Sequence, residues 1–421
     1  MNCKDSWDWQ PDRKVVANLS QLSSSYAGIN EFAASPDGQV LAALVKTEDD
    51  QFTVWVNGRE WPDKFELAWY LRFSPAGKLI LLVRIDDEWT IAVDGKSWQE
   101  RFEYAWDPLF GNGGLVVGLK YKRANLYGIA IEDKVWEKGF NGLRDFCLSP
   151  DGLRAAATVQ VKALPEADVF GFFEGVWSVA VDGKDWDKRY INAWNPVFNA
   201  DGNTVAAEVR TDICDYTIAR DNVPWDSRYG CVWAPVFHPH DNSVIAPVRN
   251  QGRWMLYRNN EPFWQGSYNQ MWNQRLSSDG SRVAAIVSPD FGKWTIAVDD
   301  KPWPKLFSDM VLAPVFSPDG QRVAAMVKNG GRWTMVVDGV PFKESFEMIW
   351  DPVFSPCGQQ VLAMAENNGR FVILANGRKY HKQFQKLWNP VFSPDGRNVL
   401  LKYIEDDKYC RQVVPVEELL G

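Results

Sequence analysis

The sequence predicts an all-β protein, a β-propeller built from ten four-stranded repeats of about 39 residues each. Three recurring features support this prediction: a turn of the Ser-Pro-Asp-Gly kind, a Val-Ala-Ala-like strand after it, and aromatic residues at fixed offsets behind that strand. Units of this kind are typical of propeller blades, because each blade covers the apolar face of its neighbour.

The Ser-Pro-Asp-Gly turn predicts a hairpin between the first and second strands of each repeat. In the clearest copy Ser317 caps a type I turn, Pro318 presets the next backbone angle and Gly320 accepts the positive φ that follows. Asp241 takes the place of this glycine in one repeat. In the other repeats its counterparts are Gly38, Gly77, Gly114, Gly152, Gly202, Gly280, Gly358 and Gly396.

Asp-Gly and Asn-Gly pairs further along the repeats predict a second hairpin, between the third and fourth strands. These two-residue turns need positive φ at both central positions, which Asp, Asn and Gly tolerate best. The pairs are Asn57-Gly58, Asp94-Gly95, Asp182-Gly183, Asp338-Gly339 and Asn376-Gly377.

Nineteen of the 22 tryptophans occupy fixed positions in the repeat. One position heads the third strand, a second follows the Asp-Gly turn, and the last lies eight residues beyond the second, as in Trp89, Trp98 and Trp106. A Phe or Tyr stands between the second and last positions, such as Phe102. This regular placement favours packing between neighbouring repeats over a surface for stacking sugars or bases, or for electron hopping.

The two ends of the chain complement each other. The last repeat offers three strands, and residues 14–22 resemble a strand that has no repeat of its own. We therefore expect residues 1–29 to form a leader with a ring-closing strand and residues 30–421 to form the propeller. This end-to-end pairing favours a single closed ring of ten blades, and the alternative is two five-bladed propellers. No Pro/Ser-rich or charged linker interrupts the repeat midway.

Composition excludes several classes of function. The formal net charge is −8 and no basic stripe accompanies the aromatic residues, which argues against nucleic-acid binding. No segment is long and apolar enough to span a bilayer, and the first residues lack the apolar stretch of a secretory signal. We therefore expect a cytoplasmic protein.

The sequence contains no common signature of a metal, cofactor or catalytic site. Its six cysteines include no Cys-x-x-Cys pair, so we expect buried thiols in a reducing compartment. His238 and His240 could form a metal pair, but they replace part of a turn motif, which favours a solvated turn. The nucleophile elbow, the phosphate-binding loop and the His-Glu-x-x-His motif are all missing. We assign no catalytic, cofactor-binding or metal-binding residue.

The largest departure from the repeat is an insertion at residues 162–173, between the second and third strands of the fourth unit. We expect a hairpin loop there, whose phenylalanines would be costly to leave in water. The loop either folds back over the ring or docks a protein partner or a membrane surface. Its apolar residues are Leu164, Val169, Phe170, Phe172 and Phe173.

Trp7 and Trp9 lie in the polar leader, outside the repeat. They either pack on the last blade, which we favour, or contact a partner.

The repeats resemble the PD40 family of WD40-like propeller repeats, as in the TolB type, through Phe-Ser-Pro-Asp-Gly-x-x-Val-Ala-Ala at residues 316–325. The spacing Trp-x-x-x-Phe/Tyr-x-x-x-Trp, at residues 61–69, 98–106 and 186–194, looks like a narrower group. That group is the tryptophan-rich TmcD-like subunits of the Tmc transmembrane redox complex of sulfate-reducing bacteria.

The second resemblance implies a cytoplasmic accessory subunit without a cofactor of its own, held peripherally at the inner face of the cytoplasmic membrane. Its implied partners are a membrane cytochrome b, a cytoplasmic iron–sulfur protein and a periplasmic multihaem cytochrome c. Two alternatives come from other classes of protein. A propeller enzyme, either a hydrolase or a quinone-cofactor dehydrogenase, would carry a carboxylate-rich site at the mouth of the channel. A soluble hub would bind peptides on its loop face.

Overall fold

The computed structural model describes residues 3–165 and 168–421. It confirms the predicted fold class: ten four-stranded antiparallel blades follow one another in a ring, forming one ten-bladed β-propeller and not two five-bladed ones. Met1 and Asn2 of the predicted leader, and Glu166 and Ala167 of the predicted insertion, lie outside the described residues.

The described residues form short strands and three short α-helices. The helices are α1 (Leu22–Ser25), α2 (Val169–Phe173) and α3 (Val416–Leu420). The strands up to the middle of the chain are β1 (Asp12–Asn18), β2 (Gly28–Ala34), β3 (Leu41–Lys46), β4 (Phe52–Val56), β5 (Arg59–Glu60), β6 (Leu67–Phe73), β7 (Leu79–Ile85), β8 (Glu88–Val93), β9 (Lys96–Ser97), β10 (Tyr104–Gly111), β11 (Val116–Arg123), β12 (Leu126–Ile131), β13 (Lys134–Val135), β14 (Gly142–Leu148), β15 (Ala155–Gln160), β16 (Trp177–Val181), β17 (Lys184–Asp185), β18 (Asn192–Phe198), β19 (Val205–Arg210), β20 (Tyr216–Arg220) and β21 (Val223–Pro224). The remaining strands are β22 (Cys231–Val232), β23 (Val236–Phe237), β24 (Val244–Asn250), β25 (Arg253–Arg258), β26 (Glu261–Pro262), β27 (Gln270–Leu276), β28 (Val283–Ser288), β29 (Thr295–Val298), β30 (Lys301–Pro302), β31 (Met310–Val311), β32 (Val315–Phe316), β33 (Val323–Asn329), β34 (Arg332–Val337), β35 (Val340–Pro341), β36 (Met348–Ile349), β37 (Val353–Phe354), β38 (Val361–Asn367), β39 (Arg370–Ala375), β40 (Arg378–Lys379), β41 (Lys386–Leu387), β42 (Val391–Phe392), β43 (Asn398–Glu405) and β44 (Lys408–Pro415).

Each blade is one antiparallel sheet, and in blades 1 to 9 successive strands of the chain pair with one another. Blades 1 to 5 are β2–β5, β6–β9, β10–β13, β14–β17 and β18–β21. Blades 6 to 9 are β22–β26, β27–β30, β31–β35 and β36–β40, and blade 10 is β41–β44 with β1. In blades 6, 8, 9 and 10 the first strand is split into two short pieces that pair with the same second strand.

The chain divides into two compact units. The first unit comprises Met1–Trp98 and Pro304–Gly421, which contain blades 8, 9, 10, 1 and 2. The second unit comprises Gln99–Trp303, which contains blades 3 to 7. In the second unit the first strand of blade 5, β18, packs against the first three strands of blade 4. We call these first strands the inner strands.

Side chains of the turn motif hold the first hairpin together, as the sequence predicts. Ser317 Oγ accepts a hydrogen bond of 2.9 Å from the Arg322 amide and donates one of 2.5 Å to Asp319. Gly320 has a φ of 70°. Asp241 holds the position of this glycine in blade 6, but the left-handed residue there is the next one, Asn242, with a φ of 56°.

The carboxylate of the second hairpin reaches beyond its own turn. Asp338 Oδ1 accepts a 2.8 Å hydrogen bond from the Val323 amide at the start of the second strand, and Oδ2 forms an ion pair with Arg322 at 2.9 Å. Asp338 itself has a φ of 50°. An Asp or Asn at this position therefore accepts the left-handed conformation and ties the third strand to the second.

The Phe or Tyr between the second and last tryptophan positions lies in the core. All nine of these residues are buried, and seven of them bridge back to the aromatic residue that heads the third strand. The tryptophans at the last position differ: Trp69 and Trp233 are exposed, and Trp194 and Trp272 are half-buried. Packing between blades therefore does not explain why tryptophan recurs at the last position. This part of each repeat belongs to the inner strand, at the edge of the sheet.

The cysteines also depart from expectation. Cys410 is buried, but Cys147 and Cys231 are only half-buried, and Cys214 and Cys357 are exposed. The exposed pair lies in the turns that connect neighbouring strands.

The chain ends meet within blade 10. Strand β1 pairs antiparallel with β44, with Val15 opposite Cys410, as the orphan strand near the N-terminus predicts. This strand runs from Asp12 to Asn18 and not over residues 14–22, because Leu22 begins helix α1. The added strand completes the four-stranded sheet of the last blade.

Candidate functional site

The insertion in blade 4 contains helix α2, where the sequence predicts only a loop. Asp168 caps the helix by accepting a 2.8 Å hydrogen bond from the Gly171 amide. Leu164 and Phe172 pack against the core that blades 4 and 5 share, next to Val176 and Trp177. One part of the insertion is therefore folded back on the propeller.

The opposite side of helix α2 is in solvent. Phe170 is 87% exposed, and Val169 and Phe173 are also exposed. Several exposed apolar side chains that lie together, as these three do on one short helix, mark a candidate interaction site.

Other hairpins of the second unit also expose apolar side chains. Ile213 and Phe291 belong to the connections between the second and third strands of blades 5 and 7, and Leu126 begins the third strand of blade 3 directly after the same connection. Phe291 is 95% exposed. Equivalent hairpins of successive blades emerge on the same side of a propeller. The apolar loop face, as we call it, consists of Leu126, Val169, Phe170, Phe173, Ile213 and Phe291.

The corresponding hairpins of the first unit are polar. They consist of the segments 47–51 (Thr-Glu-Asp-Asp-Gln), 86–87 (Asp-Asp), 329–331 (Asn-Gly-Gly), 367–369 (Asn-Asn-Gly) and 406–407 (Asp-Asp). The exposed apolar hairpins are thus a property of the second unit and not of the repeat.

Trp7 and Trp9 lie in the first unit. Their rings stack with centroids 5.8 Å apart, and both are half-buried. Trp7 lines a small cavity with Pro36 and Phe73 of blades 1 and 2. The carbonyl oxygen of Trp9 accepts a 3.0 Å hydrogen bond from Asn398 of blade 10.

A second candidate site is a cavity of about 390 Å³ in the second unit, between the inner strands of blades 5, 6 and 7. A bulge after the last tryptophan interrupts the pairing of β18 and of β27, and Asn195 and Asn273 adopt positive φ there. The residues that line the cavity are Asn195, Glu208, Trp233, Ala234, Val236, Trp272, Asn273, Gln274 and Arg275.

Glu208 is the one carboxylate in this lining. It is only 5% exposed, and its Oε1 accepts a 2.7 Å hydrogen bond from Asn195 Nδ2. Burial raises the pKa of Glu208 to about 7, the hydrogen bond from Asn195 opposes the rise, and the charge of Asp145 adds to it. A hydrolase of the paired-carboxylate type would need a second carboxylate in the same cavity.

Glu208 was not predicted as a site residue, although the sequence contains a signal. It lies directly opposite Trp194, at a second-strand position that is apolar in six of the ten blades. The residues at this position are Leu44, Leu82, Lys120, Thr158, Glu208, Pro247, Ile286, Met326, Met364 and Lys402. Only three of them are charged, and Glu208 is the one acid.

The walls of the cavity are aromatic and amide groups. Trp233 is 40% exposed, and its ring stacks on Trp254 with centroids 5.3 Å apart and planes 4° apart. Gln274 is buried, and its Nε2 donates to the carbonyl oxygens of Ala234 at 2.6 Å and Ile245 at 3.4 Å.

His238 lies in a turn and is half-buried. Its Nδ1 accepts the amide hydrogens of His240 and Asp241 at 3.4 Å, and its Nε2 lies 3.2 Å from the carbonyl oxygen of Gly280. Among residues 3–165 and 168–421, no group of three or more His, Cys, Asp or Glu side chains is placed to hold a metal ion. No helix in that part of the chain is long and apolar enough to cross a membrane.

No protein-family model and none of the curated proteins matches the chain. Among solved structures it is similar to the crystal structure of the eukaryotic initiation factor, with 12% identity over 80% of this chain and 93% of that one, and a TM-score of 0.48. The Dos1 propeller shares 10% identity over 96% and 95% of the two chains, with a TM-score of 0.35. The Myceliophteria thermophila Cps50 (Swd1) propeller domain shares 11% over 65% and 98%, with a TM-score of 0.32. The assignment of the fold rests on the pairing of the strands and not on these similarities.

Proposed function

We propose that this protein is a non-catalytic, cofactor-free scaffold that binds a protein partner through the apolar loop face of its second unit. The observation behind the proposal is the 87% exposure of Phe170 on a helix whose other side, through Phe172, is anchored in the core. Because Phe172 holds the helix on the core, Phe170 is positioned before a partner binds, which lowers the entropy cost of binding.

A protein is a better occupant of this face than a lipid surface. The acidic residues Asp168, Glu174, Asp212, Asp215 and Asp290 lie in the same hairpins, which contribute only two lysines, Lys162 and Lys293. Anionic lipid headgroups attract basic segments and repel acidic ones.

We further propose that the partner belongs to a membrane-bound electron-transfer complex, with this chain at its cytoplasmic side. The implied subunits are a cytochrome b, an iron–sulfur protein and a multihaem cytochrome c. The support for this assignment is the resemblance in tryptophan spacing to the TmcD-like subunits.

The test is purification of the tagged full-length protein from its native membranes in mild detergent, with an absorbance spectrum and mass spectrometry of the eluate. We expect haem absorbance and the three named subunits with the natural protein. The double variant Phe170→Ser/Phe173→Ser should lose them by about tenfold or more, as expected for the central residues of an interface.

Leu153→Ser is the matched control. Leu153 is 73% exposed, but it belongs to the hairpin between the first and second strands, on the other side of the blade. This variant should retain the partners. A colourless eluate without other subunits would overturn the redox assignment, and retention of the subunits by the double variant would overturn the docking face. Binding to pure lipid vesicles that depends on Phe170, without co-eluting subunits, would assign the face to a membrane instead.

A further inference from the structure

The cavity of the second unit presents hydrogen-bond acceptors to whatever enters it. Among the described residues, the carboxylate of Glu208 receives one hydrogen bond, from Asn195, although an ionised carboxylate can accept about four. Its second oxygen is left to the cavity that Glu208 lines.

Gln274 adds another acceptor. Because its amide nitrogen is committed to the carbonyl oxygens of Ala234 and Ile245, the group that it can offer to a ligand is its amide oxygen. Gln274 and Glu208 line the same cavity from blades 7 and 5. A ligand that only donates hydrogen bonds therefore fits this pair best.

The aromatic walls favour positive charge. Trp233 is covered on one face by Trp254, and its 40% exposed surface lines the cavity together with Trp272. The face of an indole ring carries negative electrostatic potential and attracts ammonium and guanidinium groups.

Arg275 also lines the cavity, and its positive charge would oppose a cation. It is exposed, however, so water and salt screen its charge. The charge that does act on Glu208 from outside the cavity is the carboxylate of Asp145, which adds to the negative potential.

We propose that this cavity binds a primary ammonium or guanidinium group, with Glu208 as the ion-pair partner and Trp233 and Trp272 as the aromatic walls. The group belongs either to a lysine or arginine side chain of a protein or to a small amine. This site is formed by the inner strands of blades 5, 6 and 7 and by the second strand of blade 5, and it shares no residue with the apolar loop face. The proposal does not depend on the redox assignment.

The test uses the full-length protein labelled with 5-fluorotryptophan and followed by ¹⁹F NMR. The resonances of Trp233 and Trp272 are assigned from the variants Trp233→Phe and Trp272→Phe. The ligands are the methylamides of Nα-acetyl-lysine and Nα-acetyl-arginine, n-butylamine, and the neutral methylamide of Nα-acetyl-norleucine. We expect saturable shifts of both resonances with the cations and not with norleucine.

Glu208→Gln keeps the shape of the side chain and removes its charge. It should weaken the binding of the cations by about tenfold or more, as expected for the loss of a charge-assisted hydrogen bond. Glu366→Gln, which changes a second-strand glutamate of blade 9, is the matched control and should bind as the natural protein does. Stronger binding of the lysine amide than of butylamine would identify a protein side chain as the source, and the reverse would identify a small amine.

Equal binding of norleucine amide, undiminished binding by Glu208→Gln, or no shift with any cation would each overturn the proposal. If Glu208→Gln failed to fold, Trp272→Leu would decide, because it alters the opposite wall and leaves the carboxylate in place. This variant should also weaken cation binding, read at the Trp233 resonance.

Discussion

Lys402 Nζ donates a hydrogen bond of 3.2 Å to the carbonyl oxygen of Ser35, which links the second strand of blade 10 to the first turn of blade 1. Beside it, Arg411 Nε donates a 2.9 Å hydrogen bond to the carbonyl oxygen of Asp37. The turn residue Gly38 leaves room for both long side chains, since a Cβ there would lie 3.1 Å from each of them. Two buried cations thus join the last blade to the first through backbone carbonyl groups.

Lys402 should make stability depend on pH in the alkaline range. It is 7% exposed, and burial lowers its pKa from 10.5 to about 8, partly opposed by Asp37. Between those values the unfolded chain binds more protons than the folded one, so the lysine's contribution to stability rises with pH. The free energy of unfolding of the natural protein, relative to that of Lys402→Met, should therefore rise by on the order of 3 kcal/mol between pH 8 and pH 10.5.

Urea unfolding of both proteins at several pH values in this range measures the effect. Lys134→Met, which removes an exposed lysine of blade 3, is the control for the loss of a lysine from the surface. Parallel stability curves for the natural protein and Lys402→Met would contradict the prediction.

Glu208 should have the opposite dependence in the acid range. Its pKa in the folded protein is about 7, above the ordinary value of 4.5, so the folded state binds more protons between these values. Stability therefore falls as the pH rises through this range. The free energy of unfolding of Glu208→Gln, relative to that of the natural protein, should therefore rise by on the order of 3 kcal/mol between pH 4.5 and pH 8. The titratable neighbours Asp145 and Cys231 remain in both proteins.

The buried Phe or Tyr between the second and last tryptophan positions should account for a large part of the stability of each blade. Phe346 is fully buried, in contact with the core that includes Met326 and Ile349. We expect Phe346→Ala to lower the free energy of unfolding by about 3–5 kcal/mol. Phe291→Ala truncates an equally large side chain that is exposed to solvent, and it should change the free energy of unfolding by less than about 0.5 kcal/mol. Denaturant unfolding measures both variants. If their free energies of unfolding fell by similar amounts, burial of the Phe or Tyr at this position would not be a main source of stability.

The insertion should contain two kinds of phenylalanine. Phe172 packs on the shared core of blades 4 and 5, so Phe172→Ala should cost about 1–2 kcal/mol, less than a fully buried ring would. Phe170→Ser should leave stability within about 0.5 kcal/mol of the natural protein. Thermal unfolding of both variants shows which phenylalanine stabilises the fold and which is free to contact a partner. A destabilised Phe170→Ser would mean that this ring also supports the fold.

The repeat made the blades, their two hairpins and the closing strand predictable. Turn chemistry and period are local properties, and the Ser317 and Asp338 side chains behave as their sequence context indicates. The shift of the left-handed residue to Asn242 was not predictable in the same way, because both Asp and Asn tolerate that conformation. The start of the closing strand was also misplaced, since a strand pattern does not reveal where pairing begins.

The candidate sites were only partly predictable. The insertion was visible as an indel, but which of its phenylalanines face the core depends on how it rests on blade 5. Glu208 was visible as a charge at an apolar position, as was Lys402. That Glu208, Trp233 and Gln274 line one cavity depends on the packing of blades 5, 6 and 7 against one another, which no spacing within a single repeat encodes.

The pairing of β1 with β44 has a consequence for the way the protein is made. Arg13 and Cys410, which share a hydrogen bond across this pair, are 397 residues apart. At about 5–20 residues per second, a ribosome needs roughly 20 to 80 s to synthesise the chain between them. During that interval the growing protein has unpaired strand edges, and another nascent chain on the same messenger could occupy them. Moving the segment 12–18 to follow residue 415 would remove the delay, so the order of synthesis, and not the final sheet, sets this window of vulnerability.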